Sequence, residues 1–304
     1  MPFALAAMSA VPALRRALVG RAMRFAEADV AGVTVHVART TAEALAASRL
    51  VHDAYVTRGI LSPHASGTRV TAHGILPTTR AIVAKLGDRV IGAISLVCDG
   101  PLGLPLEGTY RAGVQGFRDA GERLAEVGSL AIAEDQRSRG LVHLLYRHVF
   151  EVALASGVTR LVIAVHPKAE AVYRGPLLFE RFGEETSYPG LNRSARAIPL
   201  AMSLGGMEER LRAVFGDEPH LGNPYHVYLA REWLQIAPVT PTTGAAHRAM
   251  AQALVKARYD VFEELSSKVL VSMRRVLPGV SLPYGKNTPW RATPSWWSSQ
   301  FAPT

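Results

Sequence analysis

The run from Arg123 to Ala133 constrains the fold of this chain more than any other segment. Its Leu, Val, Ile and Ala content reads as a buried central strand, yet Glu126 sits inside it. An unpaired carboxylate in an apolar strand is costly, so Glu126 needs a partner or a chemical purpose. The residues from Glu134 to Gly140 follow, carrying Arg137 and Arg139. A helical pattern then runs from Arg137 to Ala155, with Leu141, Leu144, Leu145, Val149 and Val152 on one side. Strand, basic loop, glycine and helix together let backbone N–H groups and the positive end of a helix meet a phosphate. The Arg-x-x-Gly spacing by itself fits an ordinary turn with solvated arginines just as well.

The segments around this block set the fold class. Val33 to Ala38 alternates as a strand, and Thr40 with Glu43 forms a capping-box signature for a helix reaching about Thr57. Arg80 to Leu86 and Arg89 to Asp99 read as two strands joined by a tight turn at Gly87-Asp88. A short amphipathic segment covers Tyr110 to Ala120. A strand from Leu161 to Val165 stops at His166-Pro167, and a brief helix carries Tyr173. Two last strands are expected near Arg181 to Ser187 and Ala195 to Leu204, split by Pro189-Gly190. The sum is an α/β fold with a mixed, mostly antiparallel sheet and helices on both faces. The 304 residues leave room for extensions on one catalytic domain. The expected division is 1–29, an amphipathic helix; 30–204, the catalytic core; and 205–304, a helical extension.

Both extensions carry apolar stripes. Ala7, Val11, Leu14, Leu18, Ala22 and Phe25 fall at helical spacing beside arginines that follow, rather than precede, the apolar stretch, which is not the order of a signal peptide. Met250, Leu254, Ala257, Val261, Leu265, Val269, Met273 and Val276 predict one helix of about 30 residues. Each stripe is expected to pack on the core or on a second copy in a homodimer, with a membrane-surface role as the alternative. The tail from Pro289 to Phe301 holds Trp290, Trp296 and Trp297 and fits a docked strap or an interfacial anchor. Cys98 is the single cysteine, so an internal disulfide and a cysteine-cluster metal site are excluded. The histidines show no metal-ligand spacing, and no metal is expected. A cytoplasmic protein, with peripheral membrane contact left open, fits these features. The net charge of +9 favours acidic partners. No basic run is interleaved with aromatics, so nucleic acid is not among them.

Five blocks carry a wider resemblance: AYVTRG, SLVCDGPLGLP, RLAEVGSLAI, HPKAEAVY and NRSARAIPL, in this order. Together with the Arg-x-x-Gly loop and Tyr173 they resemble the GNAT acyltransferase superfamily. More closely, residues 33 to 204 are similar to the long-chain N-acyl amino acid synthases related to acyl-homoserine lactone synthases. The resemblance implies an acyl-phosphopantetheine thioester on acyl carrier protein as donor, a free amino acid as acceptor and no tightly bound cofactor. Glu126 is then the base that takes a proton from the acceptor amine; the bland alternative is an ion pair with a neighbour such as Arg123. The backbone N–H near Leu130 would meet the oxyanion if the strand splays there. Tyr173 would protonate the departing thiolate, or else simply pack. Arg137, Arg139 and the Gly140 amide would hold the phosphate. Asp99, His166 and Asn192 are candidates for recognising the amino acid, and each is also a common turn or cap residue. Ser129 is read as a substrate contact, since it lacks the setting of a nucleophile elbow.

One departure matters. GNAT loops usually carry Gly or Ala two residues after the loop glycine, whereas this chain has Val142. Crowding of a pyrophosphate by that side chain favours carrier protein over coenzyme A. The remaining readings are a coenzyme A-dependent enzyme acting on another amine, an acyl-homoserine lactone synthase, and a non-catalytic module that binds carrier protein or lipid.

Overall fold

The computed structural model describes Val19, Met23 and residues 27–137, 140–188, 196–229 and 244–283. A short helix α1 (Glu27–Val30) leads into β1 (Val33–Val37). Helix α2 (Thr41–Thr57) opens with the expected reciprocal cap: Thr40 Oγ1 accepts from the Glu43 amide at 3.1 Å and the Glu43 carboxylate accepts from the Thr40 amide at 3.3 Å. Burial acts against ionisation of Glu43, but hydrogen bonds from the Arg39 amide, His36 and Lys85 hold its pKa down at about 2. Strands β2 (Thr79–Leu86) and β3 (Arg89–Cys98) form the hairpin, with Gly87 at φ 58°, where a side chain would be strained.

Helix α3 (Glu107–Asp119), β4 (Leu124–Ile132), α4 (Leu141–Ala155), β5 (Arg160–Val165), α5 (Glu170–Arg174), β6 (Glu180–Arg181), β7 (Thr186–Ser187) and β8 (Arg196–Ser203) complete the sheet region. The strand order is β1-β2-β3-β4-β5-β8-β6, with β7 also on β8. Among the described pairings only β4 with β5 is parallel. Alternate residues of the strands serve opposite faces. Ile82, Ala84, Ile94 and Leu96 pack with Leu141, Leu144, Leu145 and Phe150 of α4. Val83 and Ala93 pack with Ala47, Val51 and Ala54 of α2. The sheet therefore has helices on both faces, as its pattern of elements implies.

Three expectations change. Helix α4 begins at Leu141 rather than Arg137, because Glu134–Gln136 forms a 3-10 turn and Gly140 takes the left-handed φ of 70°. The strand expected near Arg181 to Ser187 is two short pieces. Opposite Phe182 lies Pro199, which accepts from the Phe182 amide at 3.2 Å but has no N–H to return, and the ladder stops there.

The third change concerns the extension. The single long helix is instead α8 (Gly244–Ala257), α9 (Tyr259–Glu263) and α10 (Ser267–Val276), preceded by α6 (Met207–Phe215) and α7 (Pro224–Leu229). Arg258 leaves the helical region at φ −140°, and Ser266 starts α10 by accepting from the Val269 amide. The apolar stripe thus folds on itself, and Ala251, Val255, Phe262, Val269, Leu270 and Met273 enclose Val70, Ile75, Leu76 and Leu102. It lies on the core, as one of the two expectations had it. Helices α6 and α7 join the α4 core, where the Tyr228 hydroxyl and His143 Nδ1 are 2.7 Å apart and Arg147 Nη1 donates to the Val227 carbonyl at 3.1 Å.

The tryptophan tail and the amino-terminal stripe lie outside the described residues, although Val19 and Met23 are buried in the main core. Among the described residues, no helix is long and apolar enough to cross a membrane.

Candidate functional site

Strands β4 and β5 pair over three residues, Leu124 with Arg160, Ala125 with Leu161 and Glu126 with Val162, and then part. On its other edge, β4 pairs Gly128 with Ser95 and Ala131 with Ala93, so Ser129 and Leu130 together face Ile94. This is a β-bulge, and Ser129 occupies it at φ 53°, a conformation non-glycine residues rarely adopt. The extra residue flips the alternation: Val127 points to the α4 face, whereas Ala131 packs with α2. At Leu130 the main chain has no partner in the register on either side.

Glu126 stands at the last paired position. It is 5% exposed; Oε2 accepts from the Leu106 amide at 2.7 Å and Oε1 from the Tyr188 hydroxyl at 3.4 Å. Burial pushes its pKa up to about 8 against both hydrogen bonds, and the nearby Glu107 carboxylate adds to the rise. The alternative of an ion pair with Arg123 is not realised, since the Arg123 Nε donates to the Gly157 carbonyl.

Asp99 does not reach the opening. Its amide donates to the Leu124 carbonyl at 3.0 Å, at the end of β4 where β5 is still paired, and its carboxylate takes two hydrogen bonds from Arg118 at 2.6 and 2.9 Å. Arg118 also binds Glu107, whose Oε1 accepts from the Leu104 amide at 2.6 Å. This network braces the loop that carries the Leu106 amide to Glu126. A cavity of about 640 Å³ lined by Cys98, Asp99, Arg118, Arg123 and Ser156 lies at this closed end of the seam, away from the opening.

On the α4 side, Tyr173 is half-buried, with its ring edge-on to Tyr146 at 5.8 Å and to Phe179 at 6.2 Å. Burial pushes its hydroxyl pKa up, while a hydrogen bond shared with Tyr146 lowers it. His166 is exposed and caps the turn Pro167–Ala169, its Nδ1 accepting from the Lys168 amide at 3.1 Å. That is the cap role the sequence also offered for it. Arg137 Nη1 reaches Glu134 at 3.3 Å beside Gly140. Val142 packs against the core around α4. Arg139 and Asn192 lie outside the described residues. No three His, Cys, Asp or Glu side chains come together as a metal site among the described residues.

The structure adds residues that the candidate set read from the sequence does not contain. Tyr55 of α2 and Tyr188 after β7 are each acted on by the charge of Glu126 and by that of Arg69. The guanidinium of Arg69 lies over the Tyr55 ring at 5.1 Å. Tyr55 also acts electrostatically on Tyr173 and Tyr146. Tyr55 lies within the AYVTRG block, which was a signal; Arg69 and Tyr188 had none.

A family model described as N-acyl amino acid synthase FeeM matches residues 46–203, just over half of the chain. The chain belongs to this family. The match contains the seam, the bulge and every described residue of the site. Among solved structures, FeeM, an N-acyl amino acid synthase from uncultured soil microbes, is 25% identical with a TM-score of 0.54, covering 60% of this chain and 96% of its own. The acyl-homoserine lactone synthase LasI is 16% identical with a TM-score of 0.44, covering 57% of this chain and 89% of its own. BjaI, a coenzyme A-dependent acyl-homoserine lactone synthase, is 17% identical with a TM-score of 0.43, covering 66% and 100%. No curated protein matches the chain in sequence. This member of the FeeM family is an N-acyltransferase.

Proposed function

We propose that the chain moves a long acyl group from the phosphopantetheine thioester of acyl carrier protein to the amino group of an amino acid. The observation that carries this reading is the buried Glu126, held by two hydrogen bonds where β4 leaves β5. An ammonium arriving beside it brings the opposite charge, which favours the ionised carboxylate and prepares it to take the proton. The neutral amine attacks the thioester carbonyl. The resulting oxyanion meets the Leu130 amide, whose strand position is unpaired. As the tetrahedral intermediate collapses, the carbon–sulfur bond breaks and Tyr173 gives its proton to the thiolate; the second proton shed by the nitrogen restores the Tyr173 hydroxyl, leaving Glu126 protonated and the amide formed.

Gly140 at the start of α4, with Arg137 and Arg139, would receive the phosphate of the pantetheine arm. FeeM is described as an N-acyl amino acid synthase, which supports an amino acid as acceptor. The net charge of +9 suits an acidic carrier surface.

The test is to incubate purified protein with long-chain acyl carrier protein, or with the matching acyl-coenzyme A, and mixed amino acids. An acyl amino acid detected by mass spectrometry, lost in Glu126→Gln, supports the reading, and faster transfer from one donor identifies the carrier. No acylated product from either donor would overturn it.

A further inference from the structure

Arg69 is fixed by its backbone and left unpaired at its head. Its amide donates to the Ser48 carbonyl of α2 at 3.1 Å, and the Ser48 hydroxyl donates to its carbonyl at 2.8 Å. One residue earlier, the Thr68 carbonyl accepts from Arg258 Nη1 at 3.1 Å, and Arg258 is itself oriented by Asp260 at 2.7 Å. One residue later, Val70 is buried among the helices of the extension. Four anchors in three residues are more than a surface arginine needs.

The guanidinium, in contrast, meets no carboxylate among the described residues. Its Nε is buried without a hydrogen-bond partner among the described residues. A desolvated donor with nothing to donate to is unfavourable, and an anion would relieve it. The guanidinium lies over the Tyr55 ring, and its charge acts on Tyr55 and Tyr188, the two tyrosines that also feel Glu126. Tyr188 reaches Glu126 directly through its 3.4 Å hydrogen bond. A fixed cation and a buried base thus share the same aromatic wall.

An α-amino acid carries an ammonium and a carboxylate on one carbon. A site that acylates it needs a proton acceptor and an anion receptor within reach of one substrate: Glu126 hydrogen-bonds to Tyr188, and Arg69, whose charge acts on the same tyrosine, supplies the cation. We infer that Arg69 binds the α-carboxylate of the acceptor and so selects amino acids over amines that lack an acid group. The inference rests on the reading that the acceptor amine arrives beside Glu126. It also gives the extension a task, because Arg258 and the cluster around Phe262 hold the segment that carries Arg69.

The test uses the full chain and two measurements. In the first, transfer to glycine is compared with transfer to glycinamide, for wild type, Arg69→Gln and Arg69→Lys. The glycine-to-glycinamide ratio of kcat/KM is expected to fall about ten-fold or more in Arg69→Gln, through KM for glycine, with partial recovery in Arg69→Lys. An unchanged ratio overturns the inference while leaving the proposed function standing. The second needs no turnover: calorimetric binding of N-dodecanoylglycine against N-dodecanoylglycinamide. Wild type is expected to prefer the acid and Arg69→Gln to lose that preference. Equal binding of the two by wild type overturns the role of Arg69 even if no donor supports catalysis, whereas preference for the acid without any acyl transfer rejects only the proposed reaction.

Discussion

The Leu106 amide donates to Oε2 of Glu126 at 2.7 Å, bridging 20 residues of chain. That bond ties the buried carboxylate to a loop held from behind by Asp99, Arg118 and Glu107. The Glu126 carboxylate is therefore aimed by residues at the closed end of the β4–β5 seam. A hydrogen bond to the ionised form also limits how far burial raises the pKa.

Catalysis should follow the ionisation of Glu126. Wild-type kcat/KM is expected to rise with pH to a midpoint near 8, the pKa that burial sets. Glu126→Gln should lower kcat by about 100-fold or more and flatten the profile in that range. Steady-state rates from pH 6 to 9.5 check both.

Stability should run the opposite way. The folded chain keeps a proton on Glu126 that the unfolded chain releases near pH 4.5, so the native state binds more protons between 4.5 and about 8. Its stability then falls relative to Glu126→Gln as pH rises through this window, and the difference levels off above 8. Thermal melts of the two proteins at pH 6 and pH 9 should diverge, with the variant the more stable partner at pH 9.

Ser129 should tolerate glycine better than any branched residue. Its φ of 53° is open to glycine, whereas Ser129→Val is expected to cost about 1–2 kcal/mol by urea unfolding. Valine should also lower activity by displacing the main chain at Leu130, while Ser129→Gly should retain the bulge.

Much of this architecture was legible because its signals are local. The reciprocal cap of Thr40 and Glu43, the Gly87-Asp88 turn and the apolar strand around Glu126 each depend on a few neighbouring residues. Glu126 stood out as a charge in the wrong company. What stayed hidden depends on long-range placement. Asp99 ends a strand as His166 does, and nothing in its neighbours says that its end of the sheet is the closed one. Apolar spacing continues smoothly through Arg258, so the break between α8 and α9 left no trace. Tyr55, Arg69 and Tyr188 come from three separate segments, and only the fold brings them to one wall.

The extension should matter to stability and to the acceptor side together. Phe262 is fully buried in its cluster, and Phe262→Ala is expected to cost about 3–5 kcal/mol. Chemical unfolding measures that loss. Because Thr68 and Val70 are held by the same helices, KM for the acceptor should rise more than KM for the donor under conditions where the variant remains folded.

The short seam between β4 and β5 has a consequence for how a donor is loaded. With three residue pairs closed and the rest already apart, an incoming thioester arm breaks no ladder hydrogen bond on arrival. It finds main-chain groups already lacking a strand partner and can bond with them as an extra strand would.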